Sequence, residues 1–164
     1  MQRREMADIT AMRGAIDVLG SAISSLDQPV SPQMAAGVAA SSRARRAIGD
    51  EFGWLTATEA SRLLGSTQPG GAYANDQRKN AKALGVPVRN TFAYPGFQFT
   101  DSGHVHPTVL AVLRSADSLA VDADTVVQWF CLPSAGLDGV RPVDILIEDE
   151  TVLADFNGRF GAQW

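Results

Sequence analysis

Two short helices separated by a glycine-containing turn are the feature of this sequence that most limits its fold. Thr56 and Glu59 have the spacing of a capping box, and Gly65 suits the position that follows the last turn of a helix. Residues 66–71 contain one proline and two glycines, which predicts a turn, and a second, polar helix is predicted over residues 72–84. This order is typical of a helix-turn-helix.

The second helix of the pair has the composition of a DNA recognition helix. Its amides suit base edges and its cations suit phosphates or guanine, and Asp76 is its only acid. We predict that Tyr73, Ala81 and Leu84 lie on its inward side. A merely solvated helix face is the alternative, although such a face more often alternates Glu with Lys. The DNA-contacting residues predicted in this region are Arg62, Asn75, Gln77, Arg78, Lys79, Asn80, Lys82 and Arg89.

Two extended segments follow the recognition helix. Residues 86–89 and 91–95 flank Asn90, and this pattern predicts a β-hairpin that forms a wing. Arg89 and Asn90 at its tip would reach a phosphate or the minor groove. A hairpin that only closes the core explains the aromatic residues of these segments equally well.

Charge is distributed unevenly along the chain. Residues 41–98 contain eight of the fourteen Lys and Arg residues and four acids, whereas residues 99–164 contain three Arg and ten acids. The local balances are −1 for residues 1–40, then +4 and −7, within a net charge of −4. This partition predicts a polyanion as partner of the middle block and a different partner for the last third.

Three motifs in the middle block carry a resemblance to a known family. Residues 55–65 are Leu-Thr-Ala-Thr-Glu-Ala-Ser-Arg-Leu-Leu-Gly, Arg78 and Lys79 form a basic pair, and residues 94–101 are Tyr-Pro-Gly-Phe-Gln-Phe-Thr-Asp. Over about 50 residues this block resembles the excisionase- or MerR-like DNA-binding module of many actinobacterial regulators. The resemblance implies a helix-turn-helix domain that binds DNA.

The N-terminal region is predicted to be a pair of helices. From Met6 to Leu26 the apolar residues of one helix step by three and four, which is the a/d spacing of a helix seam. Ser31 and Pro32 predict the start of a second helix, which is expected to end before Gly49. Packing of the seam against the second helix and pairing with a second copy in a homodimer remain equal alternatives.

The acidic last third is also predicted to be helical. Helices are expected over residues 107–119 and from residue 122, the second of which ends at Pro133. Residues 137–139 predict a turn, and another helix is expected to begin near Pro142.

The order of tryptophan, proline and glycine in this third carries a second resemblance. Residues 129–133 (Trp-Phe-Cys-Leu-Pro) and 137–146 (Leu-Asp-Gly-Val-Arg-Pro-Val-Asp-Ile-Leu) resemble the toxin-binding domain of the Xre/MbcA/ParS antitoxin family. The similarity extends over residues 125–164, although the acids at 148–150 interrupt the expected helix.

The resemblance to the antitoxin family implies a partner and a site. The partner would be a RES-like toxin that consumes NAD, and the tail 157–164 would enter the active-site cleft of that toxin. A frayed C-terminus is the alternative for this tail. The implied partner-binding residues are Trp129, Arg141, Asn157, Arg159, Phe160 and Trp164.

Several chemistries are not expected of this chain. Cys131 is the single cysteine and lies in an apolar run, which favours a small core residue over a nucleophile. Asp101, His104 and His106 are too few for a structural metal site. We therefore predict no enzyme activity, no cofactor and no metal. The sequence has no apolar run of about 20 residues and no secretory signal, so we expect a cytoplasmic protein without a membrane partner.

These observations predict a mainly α protein in three parts. The parts are an N-terminal helical region (1–49), a helix-turn-helix domain with a small β-wing (50–101) and a C-terminal helical partner-binding domain (102–164). The predicted function is that of an antitoxin, which neutralises a RES-like toxin by occlusion and binds operator DNA to autoregulate. A stand-alone transcriptional or phage-type regulator, whose C-terminal domain serves oligomerisation, is the alternative.

Overall fold

A computed structural model describes residues 31–161 of the chain. Within these residues, the segment from Arg43 onward belongs to one compact unit. The predicted helix over residues 6–26 lies outside the described residues, and so does Trp164.

Residues 31–161 form six α-helices and three short β-strands, so the predicted class, mainly α with a small β-wing, is confirmed. The helices are α1 (Pro32–Phe52), α2 (Ala57–Leu63), α3 (Ala72–Lys79), α4 (Pro107–Ser118), α5 (Ala123–Cys131) and α6 (Asp149–Phe160). The strands are β1 (Trp54–Thr56), β2 (Val86–Val88) and β3 (Thr91–Pro95). Three 3-10 turns lie at Gly96–Gln98, Ala135–Leu137 and Pro142–Ile145. In residues 31–161 we find no helix with the length and apolar character to span a membrane.

Helix α1 begins as predicted and ends later than predicted. The hydroxyl of Ser31 accepts a hydrogen bond of 3.2 Å from the Met34 amide, which caps the first turn. The predicted end at Gly49 is wrong. Glycine at this position serves packing instead of helix termination, because a Cβ there would crowd the indole of Trp54. The helix ends only before Gly53, whose φ is +75°.

Helix α2 has both of the predicted end signals. The Thr56 amide donates to a Glu59 carboxylate oxygen at 2.7 Å, and the Glu59 amide donates to the Thr56 hydroxyl at 3.2 Å. Gly65 follows the helix with φ +83°, and the Ser66 amide donates to the Ser61 carbonyl. This pattern is a Schellman motif.

The start of α3 lies directly against the start of α2. Gly71 immediately precedes α3, and a Cβ there would overlap the Cβ of Ala57. The hydroxyl of Ser61 accepts a hydrogen bond of 2.9 Å from the amide of Ala74. This bond lies in the interior and ties the two helices together.

Helix α3 is shorter than predicted. Ala81 has φ +52°, and the Lys82 amide donates to the Gln77 carbonyl at 2.8 Å, so a Schellman motif ends the helix without a glycine. The expected continuation to Leu84 is therefore wrong, although Leu84 itself is buried as predicted. Tyr73 is 41% exposed instead of inward-facing, because Ala74 occupies the buried face of the helix.

The three strands form an antiparallel sheet in the order β1-β3-β2. Val88 pairs with Thr91, so Arg89 and Asn90 alone form the tip of the β2–β3 hairpin. The predicted wing is thereby confirmed. Strand β1 was not predicted, because three residues are too few for a periodic pattern. The sequence of elements from α1 to β3 is that of a winged helix-turn-helix.

The C-terminal helices follow the prediction except near residue 145. Asp122 caps α5 by accepting a 2.9 Å hydrogen bond from the Thr125 amide. The helix expected at Pro142 is only a 3-10 turn. The acids at 148–150 begin α6 instead of interrupting a helix, because negative side chains near a helix N-terminus stabilise it.

The middle and last thirds of the chain share one hydrophobic core. The ring of Phe97 lies 5.5 Å from that of Phe52 and 5.4 Å from that of Phe130, measured between centroids. The two regions predicted as separate domains after residue 49 thus bury their apolar side chains against each other.

The Phe-Gln-Phe motif at 97–99 is explained by a buried glutamine. Gln98 accepts a 2.7 Å hydrogen bond from the Leu84 amide and donates to the carbonyl oxygens of Leu84 and Pro95 at 2.8 and 3.1 Å. Gln98 therefore supplies hydrogen-bond partners to backbone groups of Leu84 and Pro95 that are not paired with another strand.

Candidate nucleic-acid interface

The polar and charged side chains of α3 and the following turn are either exposed to solvent or held in contacts within the protein. Lys79, Asn80 and Lys82 are exposed, as is Asp76. The side-chain amide of Asn80 donates a 2.7 Å hydrogen bond to the Asp76 carbonyl oxygen, which orients this amide at the end of the helix. Gln77 is half-buried and lines a groove beside the helix.

Two predicted DNA contacts face the wing instead of solvent. The Arg78 guanidinium carbon lies 3.6 Å from the centroid of the Phe92 ring, and its Nε is buried without a hydrogen-bond partner. A Cβ at Gly85 would crowd the Arg78 side chain, so this position leaves room for the arginine. The amide oxygen of Asn75 accepts a 2.9 Å hydrogen bond from the Tyr94 hydroxyl. Arg78 and Asn75 therefore connect α3 to the wing.

The Tyr94 hydroxyl is well suited to that contact. The side chain of Tyr94 is fully buried, and burial raises the pKa of its phenol above the ordinary value. The hydroxyl consequently stays protonated at neutral pH and remains a donor to Asn75.

The remaining two predicted DNA contacts are exposed on separate elements. Arg62 lies in the last turn of α2. Arg89 is at the tip of the wing with φ +53°, where its side chain projects from the hairpin turn.

The segment that carries these residues is basic on balance. Residues 54–95 contain five Lys and Arg residues and two acids, which gives a net charge of +3. One of the acids, Glu59, is held in the capping box, where hydrogen bonds from the Thr56 amide and hydroxyl lower the pKa of its carboxyl. Exposed cations and amides on a helix and an adjoining hairpin are the donor groups that contact phosphates and base edges.

The predicted partner-binding residues in the last third have roles within the chain. Trp129 is only 4% exposed, and its indole N–H donates a 3.3 Å hydrogen bond to Asp155. The hydroxyl of Ser134 also donates to this carboxylate, at 2.7 Å. Trp129 thus joins α5 to α6.

Arg141 is bound by carboxylates on both sides. Its guanidinium donates two hydrogen bonds of 2.8 Å to Glu51 and two of 2.7 Å to Asp144. These bonds to Arg141 lower the pKa of both carboxyl groups and raise the pKa of the guanidinium further above its ordinary value. The ion pairs connect the end of α1 to the 3-10 turn at 142–145.

The last turn of α6 includes part of the predicted tail. The side chain of Asn157 accepts a hydrogen bond from the Ser115 hydroxyl, and the ring of Phe160 lies 4.7 Å from that of Phe156. Residues 157–160 are thus part of a helix, so the alternative of a frayed C-terminus does not apply to them. Arg159 is exposed on the same turn.

Cys131 is poorly suited to nucleophilic chemistry. Burial raises the pKa of its thiol to about 12, so the reactive thiolate is scarce at neutral pH. Within residues 31–161 no group of His, Cys, Asp and Glu side chains is arranged to hold a metal ion.

The residues that attach α3 and the wing to the rest of the molecule were not predicted from the sequence. Phe92 and Tyr94 alternate along one strand, and this period of two was a signal for a shared face. Arg45 was missed as well: it forms an ion pair with Asp124 and donates to the Pro87 carbonyl at 3.4 Å. No local pattern predicts this contact, because 79 residues separate Arg45 from Asp124.

Comparisons with known proteins identify a structure of similar fold but no family. No protein-family model matches the chain, and neither does any curated protein. The chain is similar to the NMR structure of Rv2175c, with a TM-score of 0.56 and 19% sequence identity, over 67% of this chain and 82% of that chain. At this identity the likeness concerns the fold alone.

Proposed function

We propose that this protein binds DNA through its winged helix-turn-helix and acts as a transcriptional regulator. The observation that carries the proposal is the arrangement of α2, α3 and the β2–β3 hairpin on a segment with a net charge of +3. A polar, cationic second helix followed by a hairpin with an arginine at its tip matches the two surfaces that such modules present to a duplex.

Each exposed side chain has a distinct role in this proposal. Lys79 and Lys82 neutralise phosphates beside the major groove, and Arg89 does so from the wing. The amides of Gln77 and Asn80 suit adenine edges, whereas the Asp76 carboxylate accepts a hydrogen bond from cytosine. Arg78 acts indirectly, because it holds the wing against α3 through the Phe92 ring.

Salt-dependent DNA titration tests the proposal. The wild type and a Lys79→Ala/Arg89→Ala variant are titrated with a fluorescent duplex at several salt concentrations. Loss of two phosphate contacts is expected to reduce the slope of log K against log salt by about 1.8. An Ala154→Glu/Arg159→Ala variant makes the same change of two charges on the exposed face of α6, outside the winged helix, so its slope should match the wild type.

Two results would contradict DNA binding at this surface. One is a wild-type protein that fails to bind any duplex at low salt. The other is an equal loss of slope in the two double variants, because that result would assign the effect to net charge alone.

A second proposal concerns the acidic last third, which we infer to bind a RES-like toxin as an antitoxin. The observation that favours it is an exposed groove of about 140 Å³ beside the end of α6. Leu132 is 51% exposed there, and Arg159 and Phe160 also line the groove. Exposed apolar and arginine side chains in one groove are typical of protein interfaces.

Co-expression with the product of the adjacent gene tests the antitoxin proposal. Growth rescue and a stable complex are expected for the wild type, and both should be lost in a Leu132→Glu/Arg159→Glu variant. Deletion of residues 157–164 is a poor test, since it would also remove Phe160 from the core. Deletion of residues 162–164 leaves α6 intact and tests the tail separately. If the adjacent product is neither toxic nor bound, the regulator proposal alone remains.

A further inference from the structure

A groove of about 350 Å³ lies between α3 and the turn after it, the loop before α4 and α4 itself. Its volume falls in the range of small-molecule sites, which is about 300–1,000 Å³. Leu64, Val105 and Leu110 supply an apolar floor, and Tyr73 lines one wall with 41% of its surface exposed. An apolar floor beside an accessible aromatic ring suits a flat apolar ligand.

The side chains of the groove that can carry charge near neutral pH are all basic. They are Lys82, His104 and Arg114, and no acid is among the lining residues. This is unusual in a protein with a net charge of −4. Lys82 comes from the turn after α3 and Arg114 from α4, so the fold brings together cations that are distant in the sequence. The groove therefore attracts an anion.

The wall of the groove is preformed. The loop at 100–104 is closed by a 2.8 Å hydrogen bond from the Thr100 amide to the His104 carbonyl oxygen. Gly103 has φ +78°, and a Cβ there would overlap the Leu63 carbonyl oxygen. The loop thus packs against the end of α2 in a way that only glycine permits, and little ordering is needed for a ligand to bind.

We propose that this groove binds a small aromatic carboxylate. The ring lies on the apolar floor beside Tyr73, and the carboxylate pairs with the guanidinium of Arg114 and the ammonium of Lys82. A single negative charge is favoured over a phosphate dianion, because the groove lies near the C-terminal end of α3, where the helix dipole is negative.

A consequence follows for regulation, and it rests on the proposed DNA binding. Gln77, Asn80 and Lys82 line the groove and are also proposed DNA contacts. A bound carboxylate occupies Lys82 and adds negative charge beside α3, so it weakens DNA binding. The groove would then be an effector site of the regulator.

Calorimetric titration of the full chain without DNA tests the site independently of that function. The probe is 2-hydroxybenzoate, with benzyl alcohol as the uncharged ring and acetate as the ring-free anion. The aromatic carboxylate is expected to bind at least roughly tenfold more tightly than either fragment, since a charge-assisted hydrogen bond contributes that much. Arg114→Ala and Tyr73→Ala should each weaken it severalfold, whereas Arg159→Ala should leave it unchanged.

The other outcomes overturn either the site or its coupling to DNA binding. No heat of binding with millimolar 2-hydroxybenzoate would overturn the site, and so would affinity unchanged in Arg114→Ala and Tyr73→Ala variants that melt at the wild-type temperature. Binding of adenosine monophosphate without binding of the carboxylate would assign the groove to nucleotides instead. If the carboxylate binds but does not weaken DNA binding, the site stands and only its coupling to DNA is lost.

Discussion

The interior of the winged helix-turn-helix differs from that of the C-terminal helices. Between α2 and α3 the buried residues are small, Ala60 and Ala74, and the buried Ser61 and Gln98 hydrogen-bond to backbone. Among the C-terminal helices the core is a continuous chain of aromatic rings. The centroids of Phe130, Trp129, Phe156 and Phe160 are separated by 4.9, 4.9 and 4.7 Å in that order.

The interior of the winged helix-turn-helix mainly fixes the geometry of its helices, whereas the interior of the C-terminal helices mainly buries apolar surface. Small residues let helices approach closely, and buried hydrogen bonds permit only one arrangement, which suits the precise fit to a DNA groove that we propose for these elements. Large aromatic side chains bury more apolar area per residue, so the contact between α5 and α6 buries more apolar surface per residue than that between α2 and α3. The acidic half therefore supports the basic half through Phe130 and Phe97.

The largest effect is expected when the aromatic core is truncated. Phe156→Ala removes a fully buried ring and should lower the free energy of unfolding by about 3–5 kcal/mol. Because the halves share one core, urea denaturation followed by tryptophan fluorescence and by far-ultraviolet circular dichroism should give one coincident transition. Phe160→Ala, at a half-buried site, is the milder control. Two separate unfolding transitions would instead support the predicted division into two domains after residue 101.

A smaller loss is expected at the buried glutamine. Gln98→Met keeps the side-chain size but leaves the amide and carbonyl of Leu84 without partners, which should cost about 2–3 kcal/mol in the free energy of unfolding. Gln128→Met on α5, at a half-buried site, should change it by less than about 0.5 kcal/mol. Equal urea midpoints for the two variants would mean that the buried hydrogen bonds of Gln98 add nothing to the free energy of unfolding.

A gain is expected at the two helix ends that lack glycine. Ala81 after α3 and Ala120 after α4 both have φ near +50°, at 52° and 53°. Ala81→Gly and Ala120→Gly should each raise the free energy of unfolding by about 0.5–1 kcal/mol, because glycine adopts this conformation without a steric penalty. Ala111→Gly inside α4 is the control and should lower it by about 1 kcal/mol. A lower free energy of unfolding in all three variants would contradict backbone strain at Ala81 and Ala120.

The weakest effect is expected at the ion pairs of Arg141, and it depends on pH. The folded-state pKa values of Glu51 and Asp144 are lowered from ordinary values of 4.5 and 3.8. Their contribution to stability is therefore full above about pH 5 and is lost as the pH falls through the folded values. Urea midpoints measured from neutral to acidic pH should fall less steeply for Arg141→Met than for the wild type. The exposed Arg114→Met should retain the wild-type slope, and identical slopes for all three proteins would contradict this role.

Signals confined to a few neighbouring residues made much of this fold predictable. The capping box at Thr56, the turn that follows it and the two extended segments around Asn90 are each specified within about ten residues. The end of α3 was mispredicted for the opposite reason, since alanine is the best helix former and its positive φ at position 81 is imposed by the packing.

The candidate site was harder to predict than the fold. Composition identified cations on α3, but only the structure separates Lys79, which is exposed, from Arg78, which lies on the Phe92 ring. The basic groove was not predicted at all, because Lys82, His104 and Arg114 come from a turn, a loop and α4 and are brought together by tertiary packing alone.

The close approach of Gly71 to Ala57 has a consequence for how this protein can diverge during evolution. Residues 67–70 are exposed, so insertions and replacements there should be tolerated. Position 71 has no such freedom, because any side chain would push the recognition helix away from α2. A lineage could accept a larger residue at 71 only after position 57 had become glycine, and two changes that are each harmful alone seldom become fixed. The spacing between these helices should therefore be inherited more faithfully than the turn that joins them.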